Sequence, residues 1–183
     1  MTAVDRPWAR DILRVWFHDL SPADWFGGDD AVDAMLRRKF GDLWSALKHR
    51  PACEFMYDHR LALAAILLFD QIPRNLHRGE ASAFASDALA RSLTHTILAR
   101  NWLDHYSSEQ KQFALMPLMH SERIADQRLS LMLFARHVPS ALAFARSHWR
   151  MVARFGRFPH RNDTLGRPST PAEVKAVEAG FSW

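Results

Sequence analysis

The run Asp70-Gln71-Ile72-Pro73-Arg74-Asn75-Leu76-His77-Arg78-Gly79 has an echo later in the chain, Gly156-Arg157-Phe158-Pro159-His160-Arg161-Asn162-Asp163-Thr164-Leu165-Gly166-Arg167. In each, Pro stands just ahead of an Arg-Asn pair, and Arg and Gly close the run together. A guanidinium is a planar fork of donors that meets two oxygens of a phosphate or carboxylate at once. An Asn amide adds a donor and an acceptor that fix orientation, and Pro restricts the backbone ahead of both. Read as two loops that converge, Arg74, Asn75, Arg78, Arg157, His160, Arg161 and Asn162 would line one basic pocket for a small anion: a phosphorylated metabolite, a nucleotide or a carboxylate. The competing reading is structural. Arg and Asn near helix ends satisfy orphan carbonyls, and Asp70, Asp87 or Glu122 could hold the guanidiniums as ion pairs.

A second constellation is Met116-Pro117-Leu118-Met119-His120-Ser121-Glu122. His120 and Glu122 with His160 would give imidazole and carboxylate ligands for a metal. Equally, His120 would be a general base with Glu122 as its orienting acid, which makes a hydrolase the enzymatic alternative. No strict ligand spacing supports either reading, and Ser121 and Glu122 also suit a helix start. No metal or cofactor is assigned. The other histidines, His148 among them, show no mutual spacing that defines a ligand set. Cys53, the one cysteine, reads as a small buried hydrophobe.

The chain has 183 residues, a length that suits one sizeable core, so a single domain over 1–183 is the expectation. Hydrophobic residues make up 48% and charged residues 24%, ordinary values for a globular protein. The net charge is only +4, but Arg146, Arg150, Arg154, Arg157, Arg161 and Arg167 crowd one span in which Asp163 is the sole acid. That local excess suits an anion site and suits a solvated basic face equally. One cysteine permits no intrachain disulfide and points to a reducing, cytoplasmic setting. The longest apolar run, Leu61 to Phe69, is far short of the roughly 20 residues that span a bilayer, so no membrane association is expected. Aromatics alternate with Arg only at Phe155-Gly156-Arg157-Phe158, too short a stretch to point to nucleic acid, though it leaves that partner open. The tryptophans, including Trp16, Trp44, Trp149 and Trp183, read as packing residues.

The elements that would carry these groups are helical nearly throughout. Val32, Met35, Leu36, Phe40, Leu43, Trp44 and Leu47 recur at spacings of three and four and predict a helix over 29–48. The all-round apolar stretch predicts a buried helix over about 58–72. Further helices are expected over 80–99; from the Ser107/Gln110 capping box to Pro117; from a Ser121 cap; from Pro139 to Gly156; and from Thr170-Pro171-Ala172-Glu173. On the helix ending at Gly156, Arg146, Arg150 and Arg154 form a stripe, with Leu142, Phe144, Trp149 and Val152 turned to the core. Sustained two-residue alternation is absent, so the fold class is all-α, built of consecutive antiparallel helix pairs that would stack as a short solenoid.

Three ordered blocks, Leu67 to Gly79, Met116 to Glu122 and Phe155 to Thr170, resemble the signature blocks of DUF924, a bacterial family of unknown function, as do Trp16-Phe17 and the tail near Phe181. The resemblance implies an all-helical fold similar to the right-handed tetratricopeptide-repeat array, and no settled activity or catalytic residues. Asp163 departs from the expected small or apolar residue after the Asn. Three readings follow: a small-anion binder, a hydrolase using His120 and Glu122, and an interaction module whose helical-repeat groove takes a protein partner.

Overall fold

In the computed structural model residues 6–181 are described; Trp183 lies outside them. The chain forms two compact units, Met1–Arg78 with Ser82–Tyr106, and Gly79–Ala81 with Ser107–Trp183. Among the described residues there are helices and turns and no strand.

The first unit holds α1 (Pro7–Arg14), α2 (Pro22–Phe26), α3 (Asp30–Leu47), α4 (His59–Ile66), α5 (Ile72–Leu76) and α6 (Asp87–Ala99). Asp29 caps α3, its carboxylate accepting from the Ala31 amide at 2.7 Å. The predicted stripe is the inward face: Leu36, Phe40 and Trp44 are buried, each contributing on the order of 1.5–3 kcal/mol. The expected buried helix is α4, whose residues Leu61 to Ile66 are all buried.

That helix does not stop at Ile72. It passes through a π turn, Leu67–Gln71, and continues as α5. The first Arg-Asn pair therefore lies on a helix and not in a loop. Pro73 has no N–H to offer the Phe69 carbonyl. Ser86 supplies the missing donor, its hydroxyl bonding Phe69 O at 2.7 Å. The Trp44 indole N–H in turn donates to Ser86 at 3.0 Å. The expected helix over 80–99 is shorter, with a 3₁₀ turn at Ala81–Phe84 ahead of α6. Cys53 is exposed, contrary to its reading as a buried hydrophobe, because it sits on the short 3₁₀ turn Ala52–Phe55, where Phe55 takes the inward position.

The second unit holds α7 (Ser108–Met119), α8 (Ile124–His137), α9 (Leu142–Phe155) and α10 (Pro171–Glu178). α7 packs on α8, and α8 on α9. The Ser107/Gln110 capping box forms as expected, at 3.1 and 3.3 Å. Pro117 does not end α7 but lies inside its last turn. The orphan carbonyls there are collected by the Gln127 amide, which donates to Met119 O at 2.6 Å and Ser121 O at 2.7 Å. Ser121 does not cap α8, which starts after Arg123. Its hydroxyl instead accepts from the Arg123 amide at 3.2 Å and donates to Asp126 at 2.7 Å.

The helix expected from Pro139 begins as a 3₁₀ turn, Pro139–Ala141, before α9. Gly156 ends α9 at φ 71°, the left-handed conformation that a residue without Cβ adopts cheaply. Arg146, Arg150 and Arg154 form an exposed stripe. Phe144 is 60% exposed, so it lies off the core face on which it was expected. Thr170 caps α10 as predicted, accepting from the Glu173 amide at 3.3 Å.

Candidate functional site

The two Arg-Asn runs belong to different units. In the first unit, the α5 residue Arg74 meets both oxygens of Asp87 at 3.0 and 3.1 Å and lies 3.4 Å from an oxygen of the fully buried Asp70. Arg78 binds Asp33 through Nε and, at 3.0 Å, through Nη2. Asn75 donates to the same carboxylate at 2.7 Å. Burial works against the charge on Asp33, but Arg78 and Asn75 outweigh it and hold the group below the usual carboxylate range. All three predicted site residues of this unit thus serve carboxylates of the fold.

In the second unit, Arg157 is likewise matched. Its guanidinium binds Glu173 at 2.6 and 3.0 Å and draws that carboxyl down to about 2. Glu122 accepts from Arg167 at 2.8 and 3.0 Å and from the Phe158 amide at 2.8 Å. Burial raises Glu122, yet Arg167 and that amide keep it below its ordinary value. Both its oxygens are therefore engaged in pinning the segment after α9.

The pinned segment presents the rest of the candidates. Phe158 is fully buried, and the Pro159–Arg161 3₁₀ turn wraps His160 and Arg161 around its ring. The Arg161 guanidinium lies 4.6 Å from the ring centroid, and the His160 ring lies 5.7 Å away. From α9, His148 meets the same ring edge-on at 5.5 Å. His120, at the C-terminal end of α7, lies 6.0 Å from His148. One apolar ring is thus flanked by a buried guanidinium and two imidazoles, with a third imidazole behind. Asn162 follows, fully buried, its amide donating to Ser169 at 3.0 Å. Asp163, the one acid of the run, is exposed.

Burial dominates the electrostatics of the two enclosed imidazoles. Burial and, next, the positive charge of Arg161 push His160 down to about 4. Burial and His120 push His148 down to about 2. Both rings are therefore neutral near pH 7. The His148 Nδ1 faces the Phe144 carbonyl at 2.9 Å. A carbonyl only accepts, so Nδ1 carries the proton and Nε2 is left as an acceptor.

Of the residues read from sequence, His120, His160, Arg161 and Asn162 gather in the second unit. His148 joins them and was missed. Its signal was helical spacing: with Ala145 and Val152 it falls on the buried face of α9. Among the described residues no group of three or more His, Cys, Asp or Glu is arranged to hold a metal ion. The His120, Glu122 and His160 ligand set is therefore not assembled. No helix among the described residues is long and apolar enough to cross a membrane.

The family model described as a bacterial protein of unknown function, DUF924, matches residues 12–180. A solved protein of unknown function from Agrobacterium tumefaciens is 35% identical, with a TM-score of 0.89, over 95% of this chain and 98% of the other. No curated protein matches the chain.

Proposed function

This chain belongs to the DUF924 family, which hands it no settled reaction, and we propose from its own side chains that it binds a small anion in the second unit. Arg161 supplies the permanent charge, His160 and His120 supply imidazoles, and Asn162 and His148 orient the guest. Arg74, Asn75, Arg78 and Arg157 drop out of the contact set because each already serves a carboxylate of the fold.

The observation that carries this reading is the gathering of a buried guanidinium and three imidazoles around Phe158. A guanidinium held in low dielectric attracts a negatively charged guest strongly, and neutral imidazoles beside it can add hydrogen bonds. His148 and His160 are depressed first by burial, with the neighbouring His120 and Arg161 adding to it. His160 is only partly buried and on this reading marks the side from which the guest enters. Candidate guests are phosphorylated metabolites, nucleotides and carboxylates.

Glu122 acts here as the clamp of the Phe158 segment, its oxygens taken up by Arg167 and the Phe158 amide, which favours the binding reading over the hydrolase one. The single cysteine, free and exposed, suits a reducing compartment, and we place the protein in the cytoplasm.

The test is thermal stabilisation of the wild type and of Arg161→Ala against inorganic phosphate, nucleotides and dicarboxylates. At least one anion raises the melting temperature of the wild type. Arg161→Ala keeps its helical circular dichroism and loses that rise. An unchanged rise in Arg161→Ala overturns the reading.

A further inference from the structure

We propose that the outer faces of α8 and α9 form a docking surface for the phosphate backbone of a nucleic acid duplex. This surface is separate from the residues around Phe158 and does not depend on the anion-binding reading.

α9 carries Arg146, Arg150 and Arg154, all exposed. Their spacing of four sets them in one row, roughly 6 Å of helix per step. α8 has a similar row, with exposed Arg128 and Arg136 on either side of Met132, itself 65% exposed. The short 3₁₀ link Pro139–Ala141 joins the two helices, which pack on each other as antiparallel neighbours. The two rows therefore run on adjacent elements.

The rows lack acids. α9 has no Asp or Glu, and the sole acid of α8, Asp126, is buried and bonded by Ser121. Among the described residues the guanidiniums of Arg128, Arg136, Arg146 and Arg150 make no hydrogen bond or ion pair. That of Arg154 lies over the ring of its own neighbour Phe155, at 4.9 Å. In the same unit Arg157 and Arg167 do find carboxylates, Glu173 and Glu122. An exposed helix face is ordinarily laced with charges of both signs, and like charges four apart repel. Complementing the helix dipole accounts for Arg136 and Arg154, which stand in last turns. It does not account for Arg128, Arg146 and Arg150.

The chemistry of the face selects its occupant. Its cations are arginines, whose fork takes two oxygens of one phosphate, and the chain has no lysine between Lys111 and Lys175. Exposed alanines stand among the guanidiniums, Ala125 and Ala135 on α8 and Ala143 and Ala153 on α9, and leave room for a rigid polymer to approach. A helix lying on a bilayer buries a whole apolar face, whereas the exposed arcs here are set with arginine and alanine. A single strand calls for aromatic rings on which bases stack, and Phe144 is the one exposed aromatic among the described residues of α8 and α9. A duplex answers what is left: a dense, regular line of phosphates, held through its backbone without reading of sequence.

The experiment is fluorescence anisotropy of labelled random-sequence DNA and RNA duplexes with the full chain. Three to five phosphate contacts are expected to weaken binding about 40- to 500-fold between about 50 and 200 mM salt, a log–log slope of about −2.7 to −4.5. Tighter binding of one duplex names the source and supports the proposal. Arg146→Glu combined with Arg150→Glu is expected to lose at least about tenfold in affinity and to flatten the slope by about 1.8. Arg146→Gln with Arg150→Gln, which removes the charges without reversing them, is expected to flatten the slope equally and serves if the first variant does not fold. Arg38→Glu with Lys39→Glu, an exposed pair on α3, makes the same change in net charge and is expected to cost less than about threefold. An equal loss in that α3 variant would mean that net charge, and not this face, attracts the duplex, and overturns the proposal. Polyglutamate displacing the duplex at equal charge concentration would assign the face to an acidic protein and overturns it too. So does the absence of binding to either duplex at the lowest salt.

Discussion

Arg167 meets both oxygens of Glu122, at 2.8 and 3.0 Å, and the two residues stand 45 positions apart in the chain. The same carboxylate receives the Phe158 amide, and Arg167 donates to the Phe158 carbonyl at 3.2 Å. One ion pair therefore holds both backbone groups of the residue around which His148, His160 and Arg161 are arranged.

Glu122→Gln should accordingly loosen the whole segment. The amide keeps the shape but loses the charge that Arg167 requires, and about 1–3 kcal/mol is the expected cost for a half-buried pair. Chemical denaturation gives the number. Combining it with Arg167→Met should cost less than the two single changes added, because the second change removes the group that the first leaves unpaired. Full additivity would mean that the pair does not act as a unit.

Arg74 and Arg78 should separate in the same assay, although the sequence presents them alike. Arg74 stands beside the fully buried Asp70, and its loss leaves a carboxylate in the core without its guanidinium. Arg74→Ala is expected to cost about 3 kcal/mol or more. The Arg78 side chain is 49% exposed, and Arg78→Ala is expected to cost about 1 kcal/mol. Neither should reduce anion-induced stabilisation measured well below its own melting point. Loss of that stabilisation in a folded Arg78→Ala would move the site into the first unit.

Local signals were the legible part of this chain. The three-four spacing along α3, the Asp29, Ser107 and Thr170 caps and Gly156 each state their role within a few residues. Pro73 and Pro117 misled for one reason: whether a proline ends a helix depends on who takes the carbonyl that it abandons. For Phe69 that donor is Ser86, 17 positions away. For the end of α7 it is Gln127. Such pairings are tertiary and leave no periodic mark. The candidate site was legible to the same degree. Arg161, Asn162 and His160 announced themselves by composition, whereas His148 looked like any helical histidine until α9 turned it toward Phe158. In the first copy of the Arg-Asn phrase the cations answer Asp33, Asp70 and Asp87, partners that lie too far along the chain for the phrase itself to announce all of them.

Acid should destabilise this protein earlier than its carboxylates alone would. His148 and His160 sit at about 2 and about 4 in the fold and near 6.5 in an unfolded chain. Below pH 6.5 the unfolded state takes up protons that the folded state refuses, so stability falls as pH falls. For His160 the loss runs down to about pH 4, and for His148 to about pH 2. Each buried histidine removes up to about 1.4 kcal/mol per pH unit, with the share of half-buried His160 reduced by solvent. Glu173, held at about 2, adds its own loss only once the pH drops below its ordinary value of 4.5. Melting temperatures should therefore decline already between pH 6.5 and 5, before that carboxyl contributes. His148→Phe, where it folds, should flatten this limb, and a bound anion should do the same by letting the imidazoles accept their protons in the folded state. A melting temperature constant from pH 7.5 to 5 would show that these rings are not held neutral by their burial.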